Sequence, residues 1–140
     1  MDLTQLPSRY DALAPDGSEI RLLLQTGRAS MVHCSLPQGS ASKAVAHRTI
    51  EEIWFFLEGF GQVWRRLGDD ERVVDVVPGS CLTIPTGAHF QFRNTGSAPL
   101  RFVIATMPPW PGQDEAYRVP DHWPVDTEVT GTADGPLYEG

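Results

Sequence analysis

Turn-forming residues punctuate the middle of this chain so closely that no helix of ordinary length fits between them. Between Ser18 and Met107 the sequence is a series of short runs rich in β-branched and aromatic residues: Glu19–Gln25, Ala29–Leu36, Lys43–His47, Glu51–Leu57, Gly61–Leu67, Arg72–Val76, Ser80–Ile84, His89–Asn94 and Leu100–Met107. They are separated by Pro37-Gln38-Gly39, Glu58-Gly59, Gly68-Asp69-Asp70, Pro78-Gly79, Pro85-Thr86-Gly87 and Asn94-Thr95-Gly96. Each separator supplies the positive or fixed φ that a reversal needs. Strands at this spacing build an all-β sandwich or barrel, and no repeat of solenoid length interrupts the series.

After Met107 the texture changes to Pro108-Pro109-Trp110-Pro111-Gly112 and then to a polar stretch without sustained period. The expected organisation is an N-terminal arm over 1–17, a β-barrel over 18–107, and an irregular, acidic, Pro-containing C-terminal arm over 108–140. Trp110, Tyr117, Trp123 and Tyr138 give that last arm apolar anchors, so part of it should pack on the barrel or on a neighbouring subunit. With 140 residues, 41% of them hydrophobic and 21% charged, there is material for one core.

No apolar run approaches the ~18 residues that cross a bilayer, and no basic segment followed by an apolar one opens the chain, so no membrane partner and a cytoplasmic location are expected. Cys34 and Cys81 lie in apolar strand-like runs and not in a CxxC pair, so both are expected to be buried thiols. Residues 111–140 carry seven acids and one base, leaving eleven acids and ten bases in the first 110. A nearly neutral barrel with an acidic tail lacks the clustered cations that neutralise phosphates, which excludes nucleic acid as the expected partner.

Two segments carry a frame of fixed spacing. The first places Gly39, Val45, His47, Glu52 and Gly59; the second places Gly79, Pro85, Gly87, Phe90 and Asn94. This frame resembles the paired motifs of the cupin family, G-x5-H-x-H-x4-E-x6-G and G-x5-P-x-G-x2-H-x3-N, at every frame position, with Val45 and Phe90 standing where that family has His. The resemblance covers about residues 18–107. It implies a double-stranded β-helix, also called a jelly-roll barrel, in which three imidazoles and one carboxylate converge on a divalent metal. Taking the ligand positions as inward, strand alternation turns Val45, His47, Glu52, Trp54, Phe56, Phe90 and Phe92 into the barrel. The opposite parity, Ile53, Phe55 and Leu57, is also apolar, so that strand should be covered on both faces and a homodimer is expected.

Only His47 and Glu52 remain of the four ligands, and two protein ligands seldom hold a transition metal. No cofactor is therefore expected, and His47 and Glu52 become a candidate acid/base pair joined by a direct hydrogen bond. The bland reading of the same pair is a buried polar couple kept because removing one partner strands the other. Val45, Trp54, Phe56, Phe90 and Phe92, with Trp64, form the candidate wall around a small organic ligand, although plain core packing accounts for at least half of these rings. The alternative is a rearranged site in which a β-bulge turns His89 inward to join His47 and Glu52 on Fe, Mn, Zn or Ni, as in a dioxygenase; Glu51 is a similar alternate.

Arg93 or Arg101 at the barrel mouth would favour an anionic substrate. His33 is taken as a satisfied structural histidine, His122 as a surface residue, and Gln91 as facing outward. Three functions follow: a metal-independent isomerase, cyclase or lyase, as in the metal-poor cupins that act as sugar epimerases and polyketide cyclases; a metalloenzyme; and a non-catalytic ligand-binding barrel.

Overall fold

Alternation of apolar and polar residues along most of the strands gives each sheet one face to bury, and two such sheets stacked face to face bury both. The computed structural model describes residues 1–13 and 18–125. Its strands are β1 (Ala12–Leu13), β2 (Glu19–Gln25), β3 (Ser30–Leu36), β4 (Val45–His47), β5 (Glu51–Glu58), β6 (Gly61–Leu67), β7 (Asp70–Val76), β8 (Cys81–Ile84), β9 (His89–Asn94), β10 (Leu100–Met107) and β11 (Ala116–Arg118). A six-stranded sheet runs in the order β1-β2-β3-β10-β5-β8 and a five-stranded sheet in the order β11-β4-β9-β6-β7. Every pairing is antiparallel, which makes the fold an all-β jelly-roll barrel. Among the described residues no helix is long and apolar enough to cross a membrane.

The core lies between the sheets and includes Val32, Cys34 and Leu36 from β3, Trp54 and Phe56 from β5, Phe90 and Phe92 from β9, and Phe102 and Ile104 from β10. Turn chemistry holds the strands in register. At Gly59, φ is +85° and an added Cβ would lie 2.5 Å from the Pro99 carbonyl oxygen, so only glycine passes this point without moving the backbone.

The C-terminal arm docks more closely than its composition suggests. Ala116–Arg118 forms β11 and pairs with β4, which leaves the end of the second sheet covered by the chain itself. Beyond it, Val119 packs with Ala44, Ala46 and Trp64 on the outside of that sheet. Gln91 points outward as parity requires, but it is fully buried by the arm. Its Nε2 donates to the carbonyls of Ser42 (2.8 Å) and Trp123 (2.9 Å), and its Oε1 accepts from the amides of His122 and Trp123, each at 2.8 Å. His122 is at the surface, with its ring stacked on Trp64 at 5.0 Å. Trp110, Tyr117 and Trp123 are thus anchored within the described residues, whereas Tyr138 lies outside them.

Candidate functional site

The paired motifs meet inside the barrel through a single β-bridge: Val45 of β4 stands opposite Phe90 of β9. Both side chains face inward and join the core, as do Trp54, Phe56 and Phe92. The rings fill the space against one another. Trp54 stacks on Phe102 at 4.8 Å, meets Phe90 and Phe92 edge-on at 5.4 Å each, and Phe56 lies 4.7 Å from Phe102. Trp64 does not belong to this set, because Val63 takes the inward parity of β6 and Trp64 faces the C-terminal arm, donating from Nε1 to Glu71 at 3.0 Å.

His47 and Glu52 reach the same interior, each 3% exposed. Their closest approach, Nδ1 to Oε1, is 4.0 Å, so the expected direct hydrogen bond is not formed. The carboxyl group instead accepts from Trp54 Nε1 at 2.9 Å on Oε1 and from the Thr106 hydroxyl at 3.0 Å on Oε2. The reason is positional: β4 and β5 belong to opposite sheets, and the residues nearest Glu52 on its own sheet supply the donors. The imidazole sits against Phe90 at 5.1 Å and Trp110 at 5.5 Å, and its Nδ1 has no hydrogen-bond partner.

This dry setting pushes the two groups in opposite directions. Burial raises the Glu52 carboxyl from 4.5 to about 7, against the bonds from Trp54 and Thr106 and with a further push from the Glu115 carboxylate. Burial lowers the His47 imidazole from 6.5 to about 4, opposed by the same carboxylate. Both groups are therefore predominantly uncharged in mildly acidic solution, the form a low-dielectric interior favours.

Glu115 was not predicted from the sequence. Its carboxylate binds the amides of Thr49 (2.7 Å) and Ile50 (2.9 Å), pinning the arm beside His47. Burial would raise its pKa, but these bonds and the Thr49 hydroxyl together hold it below the ordinary value. No motif marks it. Thr106 was legible in principle, since it shares parity with the inward Phe102 and Ile104.

The remaining candidates lie elsewhere. The β6–β9 register runs without a shift from Gly61 opposite Asn94 to Arg66 opposite His89, so no bulge turns His89 inward. Its Nδ1 lies 3.4 Å from Arg66 on the outer face, and Glu51 is likewise exposed. The proposed His47, Glu52, His89 triad is therefore not assembled. Among the described residues no three His, Cys, Asp or Glu side chains come together as a metal-holding group. With Val45 and Phe90 at two family positions and both Glu52 oxygens engaged, the residues present do not fit the family's metal. Arg93 is held by Gln62 Oε1 at 2.6 Å and Arg101 lies 3.4 Å from Glu58, so neither guanidinium enters the barrel. Cys34 is buried as expected, but Cys81 is exposed, because β8 is the sheet's edge and Cys81 takes its outward parity.

Two stacked antiparallel sheets with this motif frame at their centre define a jelly-roll protein with an incomplete ligand set. The cupin domain family model (Cupin_2) matches residues 32–106, more than half of the chain, and the chain belongs to that family. It is 30% identical over 118 residues to an uncharacterized protein, MJ1618, of Methanocaldococcus jannaschii, covering 78% of this chain and 91% of that one. Among solved structures it resembles BH2720 of Bacillus halodurans (TM-score 0.60, 24% identity, 65% of this chain and 70% of that one). It also resembles a predicted oxalate decarboxylase of Thermotoga maritima (TM-score 0.56, 22% identity, 64% and 79%) and the Cnp3 cupin domain of Schizosaccharomyces pombe (TM-score 0.60, 11% identity, 70% and 69%). At these identities the structures establish the fold.

Proposed function

We propose that this cupin acts without a metal on a small oxygen-bearing organic molecule, using His47 and Glu52 for proton transfer in an isomerisation, cyclisation or elimination. The observation that carries this reading is the 4.0 Å separation between a partnerless imidazole nitrogen and a buried carboxyl oxygen. A hydroxyl or carbonyl oxygen set beside the pair, off the line that joins the two atoms, would come within hydrogen-bond reach of both. The neutral imidazole takes a proton from the bound molecule while the protonated carboxyl gives one, so the molecule's charge is unchanged and the transient imidazolium–carboxylate pair is mutually stabilised.

The test is a thermal-shift screen of small hydroxy, keto and phenolic compounds, because a ligand of the folded state raises its melting temperature. Each hit is then followed for hydrogen–deuterium exchange or isomerisation in D2O. Glu52→Gln and His47→Gln should each lower turnover by about 100-fold or more. Full activity in His47→Gln would remove the proposed role, and binding without turnover in the parent would favour a non-catalytic barrel. After supplementation with Fe, Mn, Zn and Ni, elemental analysis should find less than about a tenth of an equivalent of metal, and a stoichiometric ion would overturn the metal-independent reading.

A further inference from the structure

The hairpin of β6 and β7 carries Arg65, Arg72 and Asp70 on one face, and that face is the inner one. Arg65 stands opposite Phe90 of β9, which points into the core, and directly opposite Arg72 of β7; Asp70 pairs with Leu67 at the same parity. Arg66 and Glu71, also paired with each other, take the outer face. Two guanidinium groups directly across an antiparallel pair repel each other, so the arrangement costs stability unless a negative group comes between them.

The carboxylate nearest to hand is already committed to one of the two. Asp70 accepts from Arg72 Nε at 2.9 Å and from Arg72 Nη2 at 3.2 Å. Arg65 reaches across to the other sheet and donates from Nη1 to the Thr83 carbonyl at 2.9 Å, but among the described residues it makes no ion pair. Capping that carbonyl uses a single nitrogen. Arg65 Nη2 has no partner among the described residues and, unlike Nε, is not occluded; Arg72 Nη1 is likewise unpartnered there. Burial presses the Arg65 pKa down and the Arg72 charge presses it further, against Asp70, yet a guanidinium remains a cation at neutral pH.

These three side chains line a cleft of about 200 Å³ between the hairpin and β8, with Leu67, Pro85 and Ala88 as its apolar part. The space is smaller than pockets that enclose a whole organic ligand, and it suits one ionic group of a ligand instead. Two guanidinium groups against one carboxylate leave a single positive charge over, with unused donors on both cations. His47 and Glu52 do not line the cleft, so it is separate from the interior pair.

We propose that this cleft is an oxyanion-binding site, which takes a phosphate or carboxylate group of a small molecule between Arg65 and Arg72.

The test titrates inorganic phosphate and acetate into the full chain in Tris buffer, with chloride lowered to hold the ionic strength constant. The Nε–Hε resonances of Arg65 and Arg72 are followed by ¹H–¹⁵N NMR. At least one of the two anions should give a saturable shift with a millimolar or lower Kd, and the tighter of them tells a phosphate group from a carboxylate. Arg72→Gln keeps the Arg65–Thr83 bond and should weaken binding about tenfold or more, the worth of one charge-assisted hydrogen bond. Asp70→Asn removes the competing carboxylate and should tighten binding several-fold, the opposite sign to the first variant. Both side chains are exposed, so neither variant disturbs the core. The proposal is overturned by the absence of a saturable shift with either anion, by an Arg72→Gln variant that binds as tightly as the parent, or by an Asp70→Asn variant that binds no tighter.

Discussion

Replacing Glu52 with Gln should make this protein more stable above neutral pH, and the gain should depend on pH in a way that identifies the carboxyl as its source. The isostere keeps both bonds: its Oε1 still accepts from Trp54 Nε1, and its amide can donate to Thr106 Oγ, which faces Oε2 at 3.0 Å. What it removes is a proton equilibrium. Below pH 4.5 the carboxyl is protonated whether the chain is folded or not, so it contributes no difference. Between 4.5 and about 7 the unfolded chain ionises while the folded one holds its proton, so stability falls as pH rises through that window.

At about 1.4 kcal/mol for each tenfold change in proton affinity, the full cost above that window is on the order of 3 kcal/mol. His47 acts with the opposite sign: its lowered pKa gives stability that is present above 6.5 and lost as pH falls toward about 4. In the parent the two slopes oppose each other across the mildly acidic range, whereas Glu52→Gln exposes the rising His47 slope alone. Guanidinium unfolding followed by circular dichroism from about pH 4.5 to about pH 8 gives the difference directly. A variant-minus-parent difference that stays constant over that range would refute the reasoning.

Four further outcomes follow. His47→Phe should reverse the pattern, abolishing the loss of stability on acidification that His47 causes, read from the same unfolding series. Glu115→Ala strands the amides of Thr49 and Ile50 and should cost about 1–3 kcal/mol, with faster hydrogen exchange at those two amides. Gln91→Ala removes the partner of the His122 and Trp123 amides and should speed exchange over residues 119–125 while leaving the barrel strands protected. Ile53 and Phe55 form an exposed apolar strip on β5, at 42% and 45% exposure, without a charged side chain between them; a homodimer is expected to cover it, and Phe55→Glu should halve the mass seen by light scattering.

Which parts of this structure were legible depends on how locally they are encoded. The strands from β2 to β10 follow from two-residue alternation and from turn chemistry that each segment carries by itself, so their edges shift by no more than two residues. The inward set at Val45, Trp54, Phe56, Phe90 and Phe92 follows from the motif frame plus parity. What escaped are the contacts between segments far apart in sequence. β11 has no apolar period of its own and exists because β4 offers an open edge. Gln91 obeys parity in pointing outward, yet whether that face meets water or an arm thirty residues later is not written at Gln91. The missing His47–Glu52 bond is of the same kind, since sequence proximity said nothing of the two strands entering from different sheets.

The substitutions at the two family ligand positions and the opposed pKa shifts of the pair have one physical cause. Val45 and Phe90 bring hydrocarbon to where imidazoles would carry a cation, and an interior without that cation penalises any lone charge. His47 is driven toward its neutral form and Glu52 toward its acid form by the same dryness. An ion pair at 4.0 Å would oppose both shifts, but only if both charges formed together, which is the event a bound, proton-shifting molecule would bring about. An apolar pair of similar volume at these two positions would spare the fold the carboxyl's penalty and leave no orphan nitrogen. The barrel carries that cost where a carboxyl raised to about 7 faces an imidazole lowered to about 4, the opposed pair on which the proposed proton transfer rests.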